Sequence, residues 1–240
     1  ITYVASSSLD YTNKPYINIL PPINWEKPVS SSKLIKKEKD SIYFLFSGSF
    51  TLINGIKTLM EVFKKLPSNY KLVLCGDGLE IEYVKNIISS MPEKFIYLGT
   101  LDHKIILDLQ KNVDYLISIR NNKGRIYEYY SKYSLPSKLI EYLNSGVPVI
   151  INKIPSIPKI LEKYYYFVDD SNLESLSKSI INIVNSKKDD RSKKGMEYVK
   201  KYVNESFQNK LMFDFLDKYI EGKLWDENIS SMSAFLSWKL

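Results

Sequence analysis

From Ile42 onward, short continuous apolar runs alternate regularly with longer segments whose apolar residues recur at helical spacing, and this constrains the fold more than any other feature. Ile42 to Phe46 is the first run; Ser47-Gly48-Ser49 closes it, and Ile56, Leu59, Met60, Phe63 and Leu66 then recur three and four apart. Leu72 to Cys75 is the second, ending in Gly76-Asp77-Gly78, with a helical pattern from about Leu79 to Ser90. Phe95 to Leu98, Tyr115 to Ile119, Val147 to Ile151 and Tyr165 to Val168 continue the series, and His103 to Asn112 is the helix after the third. A strand wetted on one face alternates apolar with polar residues, whereas a strand covered on both faces is apolar throughout. The pattern predicts an α/β fold, a doubly wound, Rossmann-like parallel sheet with helices on both sides. Ligands of such sheets bind at the carboxyl ends of the strands, where loops 47–55, 76–78, 99–102 and 120–137 gather.

Outside this alternation the chain divides simply. Residues 1–40 hold a strand-like Ile1 to Val4, the run Tyr16 to Leu20 before Pro21-Pro22, and a serine- and lysine-rich linker. Residues 41–222 form the sheet domain, with helices predicted over Leu173 to Val184 and Met196 to Tyr219 and a charged turn over Lys187 to Lys194. Residues 223–240 are a tail carrying Trp225, Phe235 and Trp238.

The densest local pattern runs from Tyr133 to Ile151. Ser134 is a competent helix cap, Pro136 suits a first turn, Leu139 and Leu143 are four apart, and Gly146 is a stop. The spacing predicts a short helix with Lys138, Glu141 and Tyr142 on one face and Leu139 and Leu143 turned to the sheet. The free N–H groups at such a helix start favour an anion, and a carboxylate one turn further in suits the hydroxyls of a ribose.

The string Pro136-Ser137-Lys138-Leu139-x-Glu141-Tyr142-Leu143-x-x-Gly146-x-Pro148-Val149-Ile150 resembles the donor-sugar signature of family 4-type bacterial glycosyltransferases of polysaccharide assembly. The resemblance extends over about residues 40 to 220 and is most specific in this stretch. It implies the carboxy-terminal, donor-binding lobe of the two-lobed B-type glycosyltransferase fold. It also implies transfer of a hexose, with retention, from a nucleoside-diphosphate sugar to a polysaccharide or lipid-linked glycan whose site lies on the other lobe. No cofactor is implied beyond the sugar nucleotide, and no metal.

The same resemblance distributes roles. Glu141 would hold the donor ribose, Arg120 and Lys138 would stabilise the leaving diphosphate, and Ser134, Leu135, Pro136 and Ser137 would cradle the phosphates or sugar. Gly48, Ser49 and Asn54 correspond to the family's first phosphate loop, and Thr100 and Leu101 to the loop whose backbone reads the nucleotide base. Gly76, in Gly76-Asp77-Gly78, invites comparison with a dinucleotide-binding fingerprint, but the third glycine is absent and a tight turn between strand and helix is the better reading. This chain also departs from the pattern. Ser49 and Asn54 stand where the family usually carries an arginine and a lysine, so two charges expected near the diphosphate are missing. The earlier family glutamate, eight residues before Glu141, is Tyr133 here, and Glu128 lies five residues before that. Glu128 either substitutes for it from the loop or is a solvated charge. Lys123 and Arg125 read as solvated loop charges, and His103, the only histidine, as a surface residue at a helix start.

Other readings stay open at this level. Loss of the loop charges fits a binding module that kept the fold without catalysis, and a sugar-nucleotide epimerase shares the architecture. A net charge of +7 suits nucleic acid, an anionic membrane or a phosphorylated small molecule, but the 19 tyrosines follow no nucleic-acid motif, so no nucleic-acid partner is expected. Cys75 is the single cysteine and sits in an apolar run, which reads as a buried thiol in a reducing, cytoplasmic setting. The tryptophan-bearing tail is expected to pack on the other lobe or to touch a membrane at its inner face.

Overall fold

The computed structural model describes residues 34–121, 123–187 and 189–220, together with Leu20 and Ser30. Among them each predicted apolar run is a strand: β1 (Ile42–Ser47), β2 (Tyr70–Cys75), β3 (Phe95–Tyr97), β4 (Tyr115–Ser118), β5 (Val149–Asn152) and β6 (Tyr166–Val168). All pair in parallel, in the order β3-β2-β1-β4-β5-β6. The doubly wound α/β fold expected from the sequence is therefore the one found.

Both faces are covered, which is why the strands are apolar throughout. Tyr43, Leu45, Val73, Leu116, Val149 and Ile151 point to one layer and Phe44, Phe46, Leu72, Leu74, Ile117 and Ile150 to the other. The first layer is roofed by α3 (His103–Lys111), α5 (Ser137–Ser145) and α8 (Arg191–Tyr202). The second is roofed by α1 (Ile56–Lys65), α2 (Ile81–Ser90) and α7 (Leu173–Asn185). Cys75 is buried in the first layer, and burial pushes its thiol up to about 12, so it is an inert packing group.

Three expectations change. The 120–137 loop contains α4 (Arg125–Tyr133), so Glu128 projects from a helix rather than from a loop. The Lys187 to Lys194 turn ends early because the Asp189 carboxylate takes the Arg191 N–H at 3.0 Å and α8 begins there. The single helix expected from Met196 to Tyr219 is two, α8 and α9 (Glu205–Ile220). Asn204 separates them: its amide donates to the carbonyls of Lys200 and Lys201, and its side-chain oxygen accepts the Phe207 N–H at 2.9 Å. A one-turn α6 (Lys159–Glu162) precedes β6.

The strand expected at Ile1 to Val4 and the tail over 223–240 lie outside the described residues. No helix among the described residues is long and apolar enough to cross a membrane.

Candidate functional site

The order of the strands places a crevice where β1 and β4 lie side by side and the chain winds away in opposite directions, the usual ligand position in such sheets. Three loops stack along this edge. The Gly48 N–H donates to the Cys75 carbonyl and the Gly76 N–H to the Gly99 carbonyl, each at 2.9 Å. Gly76 sits at φ 135°, and a Cβ there would stand 2.0 Å from the Gly48 carbonyl oxygen, so the two loops touch backbone to backbone. Within the first loop the Asn54 amide donates to the Ser49 carbonyl at 2.9 Å. These two uncharged residues brace the loop against itself and bring no charge to the crevice.

The helix carrying the signature, α5, starts later than the sequence suggests. Pro136 is its N-cap and no side chain caps it; Ser134 is extended, two residues before it. Ser134 acts instead through its carbonyl, which accepts from Arg120 Nη1 at 2.6 Å and from Ser156 Oγ at 3.2 Å. A second correction concerns the faces of α5. Tyr142 is fully buried and leaves Lys138 and Glu141 to reach β1, where its hydroxyl accepts the Ser47 N–H at 2.9 Å. A phenol is long enough to span helix to strand and satisfy a main-chain donor that the end of the sheet would otherwise leave unmet. Gly146 ends the helix in the left-handed conformation, as predicted.

Lys138 has the most unusual environment in the crevice. Its ammonium is sealed from solvent with no hydrogen-bond acceptor, 4.0 Å over the Phe46 ring and 2.9 Å from where a Gly48 Cβ would lie. Burial, and then repulsion from Arg120, outweigh attraction by Glu141 and push its pKa down to about 7. Arg120 is also buried, with Nε lacking a partner and its pKa lowered by burial. Its backbone is fixed by Asn152, whose side chain accepts the Arg120 N–H at 2.9 Å and donates to the Arg120 carbonyl at 2.8 Å. Two cations with unmet donors, side by side at a loop edge, form a site short of an anion.

Glu141 points the other way along the crevice, to α3. One carboxylate oxygen accepts from His103 Nε2 at 2.7 Å and the other from the Gln110 amide.

A family model for glycosyl transferases group 1 matches residues 30–202. The chain belongs to the group 1 glycosyl transferases. No protein of curated function matches it. Among solved structures, sucrose-phosphate synthase from Thermosynechococcus elongatus is similar at TM-score 0.65 and 17% identity, over 86% of this chain and 53% of that one. HepE from Anabaena, in complex with UDP and glucose, is similar at TM-score 0.60 and 15% identity, over 75% of this chain and 49% of that one. The pneumococcal O-GlcNAc transferase GtfA, in complex with UDP and GlcNAc, is similar at TM-score 0.55 and 11% identity, over 88% of this chain and 39% of that one. The chain thus spans about half the length of the first two.

In this group 1 glycosyl transferase the predicted residues divide into those that meet and those that do not. Gly48, Lys138, Arg120 and the Ser134 carbonyl converge on one end of the crevice, and Glu141 lies one helical turn beyond Lys138. Leu101 and Leu135 pack against the core. Thr100 and Ser137 are exposed on loop 99–102 and at the start of α5. Glu128 is exposed on α4, and Lys123 turns away to donate to the Ser171 carbonyl at 2.7 Å. Sequence reasoning missed Asn152 and the hold on Glu141 from α3 by His103, read only as a surface residue at a helix start, and by Gln110. Only the seven-residue spacing of the last two, which puts them on one helix face, was there to be read.

Proposed function

We propose that the chain is the donor-binding lobe of a glycosyltransferase that moves a hexose from a nucleoside-diphosphate sugar to a polysaccharide or lipid-linked glycan, with retention of anomeric configuration. The observation that carries this reading is the unmet pair Lys138 and Arg120 beside Gly48, one helical turn from the Glu141 carboxylate. A diphosphate supplies the anion that the pair lacks, and a ribose supplies hydroxyls to the carboxylate. As the glycosidic bond to the leaving phosphate breaks, negative charge grows on the diphosphate, and the two cations stabilise it there. In this reading side chains provide that charge without a metal ion. HepE and GtfA, which share the fold, are each in complex with UDP, which supports a nucleotide as the ligand. The acceptor meets the sugar from outside this lobe, and the chain works in the cytoplasm, at the inner membrane face when the acceptor is lipid-linked.

A thermal-shift titration with UDP, GDP, ADP and CMP tests the proposal. Ligand at a hundredfold excess over Kd stabilises the native state by about 2.7 kcal/mol, an easily measured rise. One diphosphate is expected to give that rise, Glu141→Ala to abolish it and Arg120→Ala to weaken it. A chain indifferent to every nucleotide is not the donor lobe proposed here.

A further inference from the structure

Glu141 does not stand free in the crevice: its carboxylate is gripped from α3 by two side chains seven residues apart. Gln110 is almost wholly buried and holds one oxygen. His103 holds the other from the first residue of α3, and that helix start is itself fixed, since the Asp102 side chain accepts the Lys104 N–H at 2.8 Å. An ionised carboxylate only accepts, so the His103 ring nitrogen facing it carries a proton and donates. Each carboxylate oxygen has two lone pairs. With one on each oxygen taken by Gln110 and His103, one on each remains, in a plane that the two donors fix. The Glu141 side chain is 22% exposed, so it is not sealed in the core.

We infer that His103 is a positioning residue that sets the plane of the Glu141 carboxylate so that its two remaining acceptor sites match a vicinal diol, and thereby makes the site selective for ribose over 2′-deoxyribose. The inference rests on the donor-lobe reading above. A carboxylate on a flexible side chain must be ordered before it can accept from two hydroxyls at once, and that cost offsets part of the second hydrogen bond. A carboxylate held at both oxygens gains most when two adjacent hydroxyls arrive together, because the ordering is done before binding. His103 is the partner to test, since it is the more exposed of the two and its loss leaves the core intact.

The experiment compares the affinity of UDP, GDP and ADP with that of each 2′-deoxy form by isothermal titration, for the wild type and for Glu141→Ala, His103→Ala and His103→Gln. The wild type is expected to favour the ribose form of its diphosphate about tenfold, as suits one hydrogen bond to a charged group. Glu141→Ala should erase that preference. His103→Ala should bring it to within about twofold while leaving deoxynucleotide affinity near the wild-type value, and His103→Gln, which keeps an N–H at similar reach, should restore it. If His103→Ala weakens both forms equally or keeps the full preference while Glu141→Ala erases it, the inference is overturned and the donor-lobe reading stands. If no diphosphate binds the wild type, both fall.

Discussion

At the scale of single residues, Lys138 carries an energetic burden that the apo protein does not relieve. Its pKa of about 7 lies below the ordinary 10.5, so between those values the unfolded chain holds a proton that the folded chain has released. On that sign this group makes stability rise with pH across the window, and its penalty is complete below pH 7. Lys138→Met is therefore expected to stabilise the ligand-free protein by about 1–3 kcal/mol at pH 6, with the gain fading toward pH 10, in urea unfolding at both values. The same variant should bind the diphosphate at least about tenfold more weakly, since it loses a charge-assisted contact. A diphosphate entering at pH 8 should restore the ammonium. Calorimetry in buffers of different ionisation enthalpy would then register a proton taken up on binding, and Lys138→Met would take up none.

The elements show how much could be read from the chain. Strands were legible because burial on both faces leaves no polar residue in Leu72 to Cys75 or Val149 to Ile151 to blur the pattern. Helix α4 was not, because Ile126, Tyr129 and Tyr130 present its apolar side to the outside, so periodicity there does not mark a core-facing helix. On α5 the leucines identified the helix, but the inward reach of Tyr142 depends on the position of Ser47, 95 residues away in sequence. The pairing of Glu141 with His103 likewise spans 38 residues and is settled only by the packing of α3 on α5. The α5–β1 tie has its own measurable value. Tyr142→Phe leaves the Ser47 N–H buried and unmet, and is expected to cost about 1–3 kcal/mol in a urea titration.

Over the whole molecule, one sheet divides two apolar layers, and every strand of the central group contributes to both. Neither layer can be lost while the other persists, so the domain should unfold in one step. Leu45→Ala removes a side chain from one layer and Phe46→Ala from the other; each should lower the same single transition, by about 2–5 kcal/mol. Circular dichroism and tyrosine fluorescence should report coincident midpoints in both variants.

The backbone contact of Gly48 with Gly76 bears on how this edge can drift during evolution. With 2.0 Å between the Gly48 carbonyl oxygen and any Cβ at position 76, every replacement there forces two loops apart, although Gly76 brings no functional group to the crevice. In a saturation screen Gly76 should tolerate as little as Glu141. A map of intolerance along this edge would therefore trace packed main chain as much as chemistry. The two would separate only under conservative exchange: Arg120→Lys keeps the charge and fails for want of a planar fork, whereas no side chain of any kind rescues position 76.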